Sequence, residues 1–406
     1  MILNRRRWLV LAAGILANAC CGAGYAFSVF KKPLIGVLHC TDPQVTLAFS
    51  LTTVFLPVGM LVSGAIAAKR GPRVAIVAGG TVFGLGVALA GFSGSLWWLY
   101  ATFGAMASLG QGASYGTTIA VAVRWFPDRR GLASGLVVSA LGVGTLVIAP
   151  LAQAMISHIG VLDTLKALGI GFVVVILSAS RFVVNPPKDY APAAGESELE
   201  PATREAVIDD EVGWRAMLSR PLFWALFVMY MLGVFSGLMV ISQASDIAQK
   251  MTSLTAAGAA FAVGLLGAAN SVGRFFWGGI SDRIGRLHAI AGMFAITAIV
   301  MLLLPKLALS QGGLIVGFVL VGLCYGGYMG TFPSLCADAF GGRNMAVNYA
   351  LLFVAFAIAG VVGPRVGAVL RADTGAYVTG FMTAAAIAAI GLVIALGLKL
   401  RGATQH

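Results

Sequence analysis

The chain is a succession of apolar runs, each about 20 residues or longer, joined by short polar segments, and that pattern leaves few folds open. A helix rises about 1.5 Å per residue, so about 20 residues cross the ~30 Å hydrocarbon core of a bilayer. Such runs fall at roughly 8–37, 44–67, 73–93, 96–123, 131–156 and 162–184. They resume at roughly 221–245, 254–280, 287–305, 312–337, 345–370 and 376–399. Of 406 residues, 59% are hydrophobic and 10% charged, with mean hydropathy +0.92; a soluble chain carries about 25% charge. The expectation is an all-α integral membrane protein of twelve transmembrane helices in two six-helix halves, 1–184 and 221–406.

Charge distribution orients the spans. With that map, 19 basic residues fall on the face carrying both termini and 6 on the other. The positive-inside rule then places both termini in the cytoplasm of a cell with this protein in its inner membrane. A net charge of +12 would suggest nucleic acid in a soluble protein, but here it is loop charge and no nucleic-acid partner is expected. Arg5-Arg6-Arg7 followed by an apolar stretch and Ala17-Asn18-Ala19 resembles a signal peptide. The apolar run continues through Tyr25 to Phe30, so it reads as an uncleaved first span. The segment 185–220 is rich in Pro, Ala and Glu and reads as a cytoplasmic linker between the halves.

The halves repeat. Phe126 and Pro150 bracket span five, Phe340 and Pro364 bracket span eleven, and each pair lies 214 residues apart. The same offset lays Gly278-x-x-x-Asp282-Arg283-x-Gly285 on Gly64-x-x-x-Ala68-Lys69-x-Gly71. Parallel six-helix repeats are a trace of carriers whose substrate site lies between the halves near the midplane.

The stretch from Gly278 to Arg286, GGISDRIGR, resembles the loop motif of the major facilitator superfamily. Arg124 to Gly135, RWFPDRRGLASG, resembles the loop before span five in its oxalate:formate antiporter and bacterial monocarboxylate transporter family, as do Asn270-x-x-x-Arg274-x-x-Trp277-Gly278 and Phe332-Pro333-Ser334. The resemblance runs over the whole chain. It implies that Asp282 caps a neighbouring helix and holds a cytoplasmic gate, with Gly278, Arg283, Arg124, Asp128, Arg129 and Arg130 in the gating loops. The first-half copy has Ala68 where the motif has Asp.

Two full charges fall inside the spans, Arg274 and Arg365. Arg274 lies eight residues before Asp282, about 12 Å above the loop and near the midplane. Every Asp and Glu falls in a loop or at a span end. A permanently charged guanidinium without a nearby acid needs an anion, and a carboxylate fits its fork in a bidentate manner; backbone carbonyls or cavity water are the structural alternative. The resemblance implies that Arg274 is the carboxylate ligand, and that oxalate exchangers carry a Lys in span eleven where this chain has Phe356. One central cation suits a monoanion, with Phe356 as an apolar wall or as plain packing. Asn270, Tyr115, Tyr325, Tyr328 and Gln111 are the candidate polar partners at depth, with Tyr25 either in the cavity or in an interfacial belt.

The expected function is secondary transport of a small monocarboxylate (lactate, pyruvate or formate in kind) by alternating access, with proton symport or anion exchange as the drive. Oxalate or dicarboxylate exchange and cationic drug efflux are the rivals, the latter expected to need an acid in the cavity. A sensor that kept the carrier fold is a third. No cofactor or metal is expected, since His and Cys show no metal spacing and no P-loop is present. The chain is expected to be a monomer and not an enzyme.

Overall fold

The structure is a computed structural model describing residues 2–24, 26–187, 190, 212–252, 254–374 and 377–400. Tyr25 and most of the linker lie outside the described residues. The described residues form twelve helical spans. The first six are α1 (Ile2–Cys21, resuming as Phe27–Leu38), α2 (Asp42–Arg70), α3 (Pro72–Ala90), α4 (96–125), α5 (130–159) and α6 (161–180). The second six are α7 (Pro221–Thr252), α8 (Ala256–Ile284), α9 (Arg286–Leu307), α10 (Gln311–Phe340), α11 (Met345–Thr374) and α12 (Val378–Leu400).

Local chemistry sets the breaks. The run Arg130–Ser180 folds back at Gly160, whose φ of 77° is open to glycine at no steric cost. Gly71 and Gly285, equivalent positions of the repeat, take almost the same left-handed turn (φ 85°, ψ 162° and φ 89°, ψ 148°) between α2 and α3 and between α8 and α9. The repeat seen in the residues is thus also a repeat of backbone conformation. α1 tightens to a 3₁₀ turn at Gly22–Gly24, and carbonyls at this break take side-chain donors: Gln111 Nε2 donates to the Cys21 oxygen (3.2 Å) and Thr145 Oγ1 to that of Gly22 (2.9 Å), which also accepts from the Ala26 N–H. A broken helix at membrane depth needs such partners, because lipid offers none. α4 carries π-type turns over Tyr100–Ala107.

Lipid-facing stripes are apolar, as with exposed Val54, Val58 and Val62 spaced four apart on α2. We call the face holding the loops at 71, 126–130, 285 and 341–344 the basic face. There α5 and α8 run in contact: Gly131 meets Gly278, Gly135 meets the Arg274 carbonyl and Gly142 meets Ser271, so closely that a Cβ at any of the three glycines would collide. Farther along the same side of α8, a Cβ at Gly267 or Gly264 would meet nothing. The two halves are therefore closed from the basic face up to Gly142 and Ser271 and diverge beyond. On the opposite flank α2 meets α11, Gly64 lying against Ala346 and Val347.

Candidate functional site

The closed end is built around Asp282. Its two carboxylate oxygens accept from the backbone N–H groups of Gly131 (2.9 Å) and Leu132 (2.8 Å), the unpaired donors at the start of α5. This joins α8 of one half to α5 of the other and favours a negative charge at that helix end. Arg286 pairs with Asp282 and, through Nε, with Asp338 Oδ2 at 2.9 Å; Arg130 Nη1 reaches Asp338 Oδ1 at 2.7 Å. Four charged side chains from both halves thus form one network. Arg124 holds the other flank differently, donating to the carbonyls of Gly342 (2.8 Å) and Arg343 (2.6 Å). Asp128 pairs with Arg7 at 3.3 Å and lies 3.9 Å from Arg129, within the first half. Arg283 is exposed on the basic face. Asp338 was not singled out from the residues, although it is the repeat partner of Arg124, which was.

Above this network lies Arg274, 2% exposed. Its Nη1 donates to the Val138 carbonyl of α5 at 2.6 Å and its Nε lies 3.4 Å from Asn270 Oδ1, one turn away on α8. Among the described residues no carboxylate comes within ion-pair distance of it. Two of five guanidinium N–H groups are engaged by those contacts, on a group that cannot shed its charge.

Phenols gather beside it. The Tyr230 hydroxyl is 3.5 Å from that of Tyr349, and the Tyr325 ring packs against Gly237 on the same helix as Tyr230. Tyr115, on α4 of the first half, meets Phe353 of α11 edge-on at 5.7 Å. Phe353 in turn stacks on Phe356 at 4.7 Å, and Phe356 is 7% exposed. Arg274 and Asn270 are thus in contact on α8, and Tyr115 joins the Phe353–Phe356 pair across the two halves.

Two candidates stand elsewhere. Tyr328 turns into the second half, its ring 5.0 Å from Phe294 of α9 and its hydroxyl near Thr297, so it is a packing residue of that half. Gln111 secures the break in α1. Tyr230 and Tyr349 were missed. Tyr230 lies nine residues into α7 from Pro221, the same depth from the basic face that marked Tyr115, so depth alone could have found it.

The family model described as Major Facilitator Superfamily matches residues 11–364 and again 239–405. The oxalate:formate antiporter of Oxalobacter formigenes is 29% identical over 396 residues, 97% of this chain and 91% of that protein. Monocarboxylate transporter 12-B of Danio rerio is 27% identical, over 81% of this chain and 72% of that one. The crystal structure of the transporter FucP in the outward conformation aligns with a TM-score of 0.70 at 15% identity, covering 96% of this chain and 97% of that one, a likeness of fold. With a model matching most of its length and twelve spans in two repeated halves, the chain belongs to the Major Facilitator Superfamily.

Proposed function

We propose that the chain is a carrier for small monocarboxylates working by alternating access, with the basic face in the cytoplasm and both termini there. The observation behind this reading is the buried guanidinium of Arg274, which no protein carboxylate neutralises among the described residues. A bound carboxylate supplies the missing charge and accepts two parallel N–H bonds. Tyr115 and Tyr325 stand beside it as further donors, and the Phe353–Phe356 pair gives an apolar wall for a short carbon chain. A single cation balances one negative charge, which favours monocarboxylates over oxalate. The oxalate:formate antiporter and the monocarboxylate transporter among the relatives support a small carboxylate as cargo. On this assignment the closed basic face makes the conformation outward-facing.

Carrying a bare monoanion into a negative-inside cell costs about 2.3 kcal/mol per 100 mV. Co-transport of a proton on the substrate, or exchange for another anion, removes that cost. Among the described residues the site holds phenols rather than an acid, so in symport the proton travels with the substrate or on a span-end group. The test is uptake by liposomes loaded with the purified protein, across labelled lactate, pyruvate, formate, acetate and oxalate, with and without an inward proton gradient. Saturable uptake of monocarboxylates that unlabelled oxalate competes with poorly is the expected result. Uptake of oxalate in preference to all four would overturn the monocarboxylate assignment.

A further inference from the structure

The hydrogen bond from Arg274 to Val138 crosses from one half of the molecule to the other. Arg274 stands on α8, Val138 on α5, and the 2.6 Å bond lies just above the glycine contacts that close the basic face. The next carbonyl on α5, that of Val137, is held from within the first half by Asn18 Nδ2 at 3.3 Å, and Asn18 also donates to Thr118 of α4 at 2.8 Å. So α1, α4 and α5 are tied as one body, and Arg274 ties that body to the other. Ser134 of α5 adds a further crossing bond, to the Gly330 carbonyl of α10 at 2.8 Å.

The two ends of the Arg274 bond differ in what they need. Val138 lies inside a continuous helix, so its carbonyl has a second lone pair committed to the helical bond and loses little if the guanidinium leaves. The guanidinium, buried and charged, must have an acceptor wherever it points. A carboxylate outcompetes an amide carbonyl for it, because that bond is charge-assisted and bidentate.

We propose that Arg274 is also a latch between the two halves, and that the substrate carboxylate releases it by drawing the guanidinium off the Val138 carbonyl. The latch rests on Arg274 being the carboxylate anchor. Without ligand it holds the basic face closed. With ligand one of the bonds across the α5–α8 seam is gone, and the basic face opens more readily. Substrate binding and reorientation are then coupled through one side chain, which suppresses movement of the empty carrier in this direction.

The test is a distance across the basic face. Spin labels go on Arg73→Cys and His288→Cys, exposed positions of opposite halves. Cys40→Ser removes the one native thiol that is not buried. Ligand-free wild type should give a short distance, and saturating lactate or formate should populate a longer one. A hydrogen bond from a charged donor shifts such an equilibrium about ten- to a hundredfold, so ligand-free Arg274→Ala should already show the long distance and not respond to ligand. Arg274→Gln is the substitute if the alanine variant does not fold. Gly135→Ala, which wedges a methyl against the Arg274 carbonyl, should also open without ligand while keeping its ligand-induced thermal shift. A short distance in ligand-free Arg274→Ala refutes the latch, whatever the thermal shift of wild type says about the anchor. An open Arg274→Ala beside a wild type that no monocarboxylate opens refutes release by the carboxylate.

Discussion

The two flanks where the halves meet at the basic face are related by the repeat and are built from different chemistry. On the α5–α8 flank, Asp282 caps α5, and Arg286, Asp338 and Arg130 complete an ion network. On the α2–α11 flank, the equivalent positions hold Ala68, Pro72, Arg124 and Asn344. There is no carboxylate at the Asp282 position, and among the described residues no α2 side chain caps the start of α11. Gly64 packs against Ala346 and Val347, and Arg124 binds two carbonyls of the loop. One flank is held by paired charge and the other by close packing and a single cation. The two flanks occupy equivalent positions of the repeat, and only one carries an acid there. If these contacts gate the basic face, as proposed, its opening is expected to be controlled mainly at α5–α8, the same seam that carries Arg274.

Asp282→Ala should break this asymmetry most. It strips two charge-assisted bonds from α5 and leaves Arg286 with Asp338 alone, a loss of about 2 kcal/mol, or about thirtyfold toward the open basic face. Cysteine labelling from the basic side, at a position between the halves such as Ser134→Cys, should accelerate by that order; unchanged labelling would mean the network is not a gate. Ala68→Asp should restore the missing acid, capping α11 at Met345 and Ala346 as Asp282 caps α5. Its expected gain is about 1 kcal/mol, seen as a higher melting temperature and about fivefold slower transport. Faster transport or a lower melting temperature would show that the α2–α11 flank does not follow the repeat. Arg124→Gln should do least, about 0.5–1 kcal/mol, because its acceptors are neutral and partly solvated. An effect as large as that of Asp282→Ala would reverse the ranking of the flanks.

Much of this was legible in the residues. Span number, the repeat at offset 214 and the depth of Arg274 follow from apolar length and spacing, while the place of Asp282 against a neighbouring helix start came from the motif resemblance. What stayed hidden follows from the same composition. Tyr328 and Tyr325 sit one turn apart on a helix with apolar residues on all sides, so no polar stripe marks which face meets the other half. Tyr328 turned into its own half, while the Tyr325 ring packs against Gly237 of α7. The Val138 carbonyl could not be read at all, since a backbone acceptor leaves no trace in residue type. The break in α1 does leave one, Gly22-Ala23-Gly24, and its partner Gln111 was noticed as a polar residue at depth but given to the substrate. Asp338 hid at a span end, where an acid is ordinary.

Arg274 carries the account, and ligand-induced stabilisation tests it most directly. Wild type, Arg274→Lys and Arg274→Ala would be melted with and without lactate, pyruvate or formate. Wild type should show a clear upward shift. In Arg274→Lys the lost fork weakens affinity about ten- to a hundredfold, so the shift should need correspondingly more ligand. In Arg274→Ala it should vanish, with ligand-free stability unchanged or higher because an unneutralised buried charge is gone. A wild-type shift persisting in Arg274→Ala would contradict the claim that this guanidinium holds the substrate.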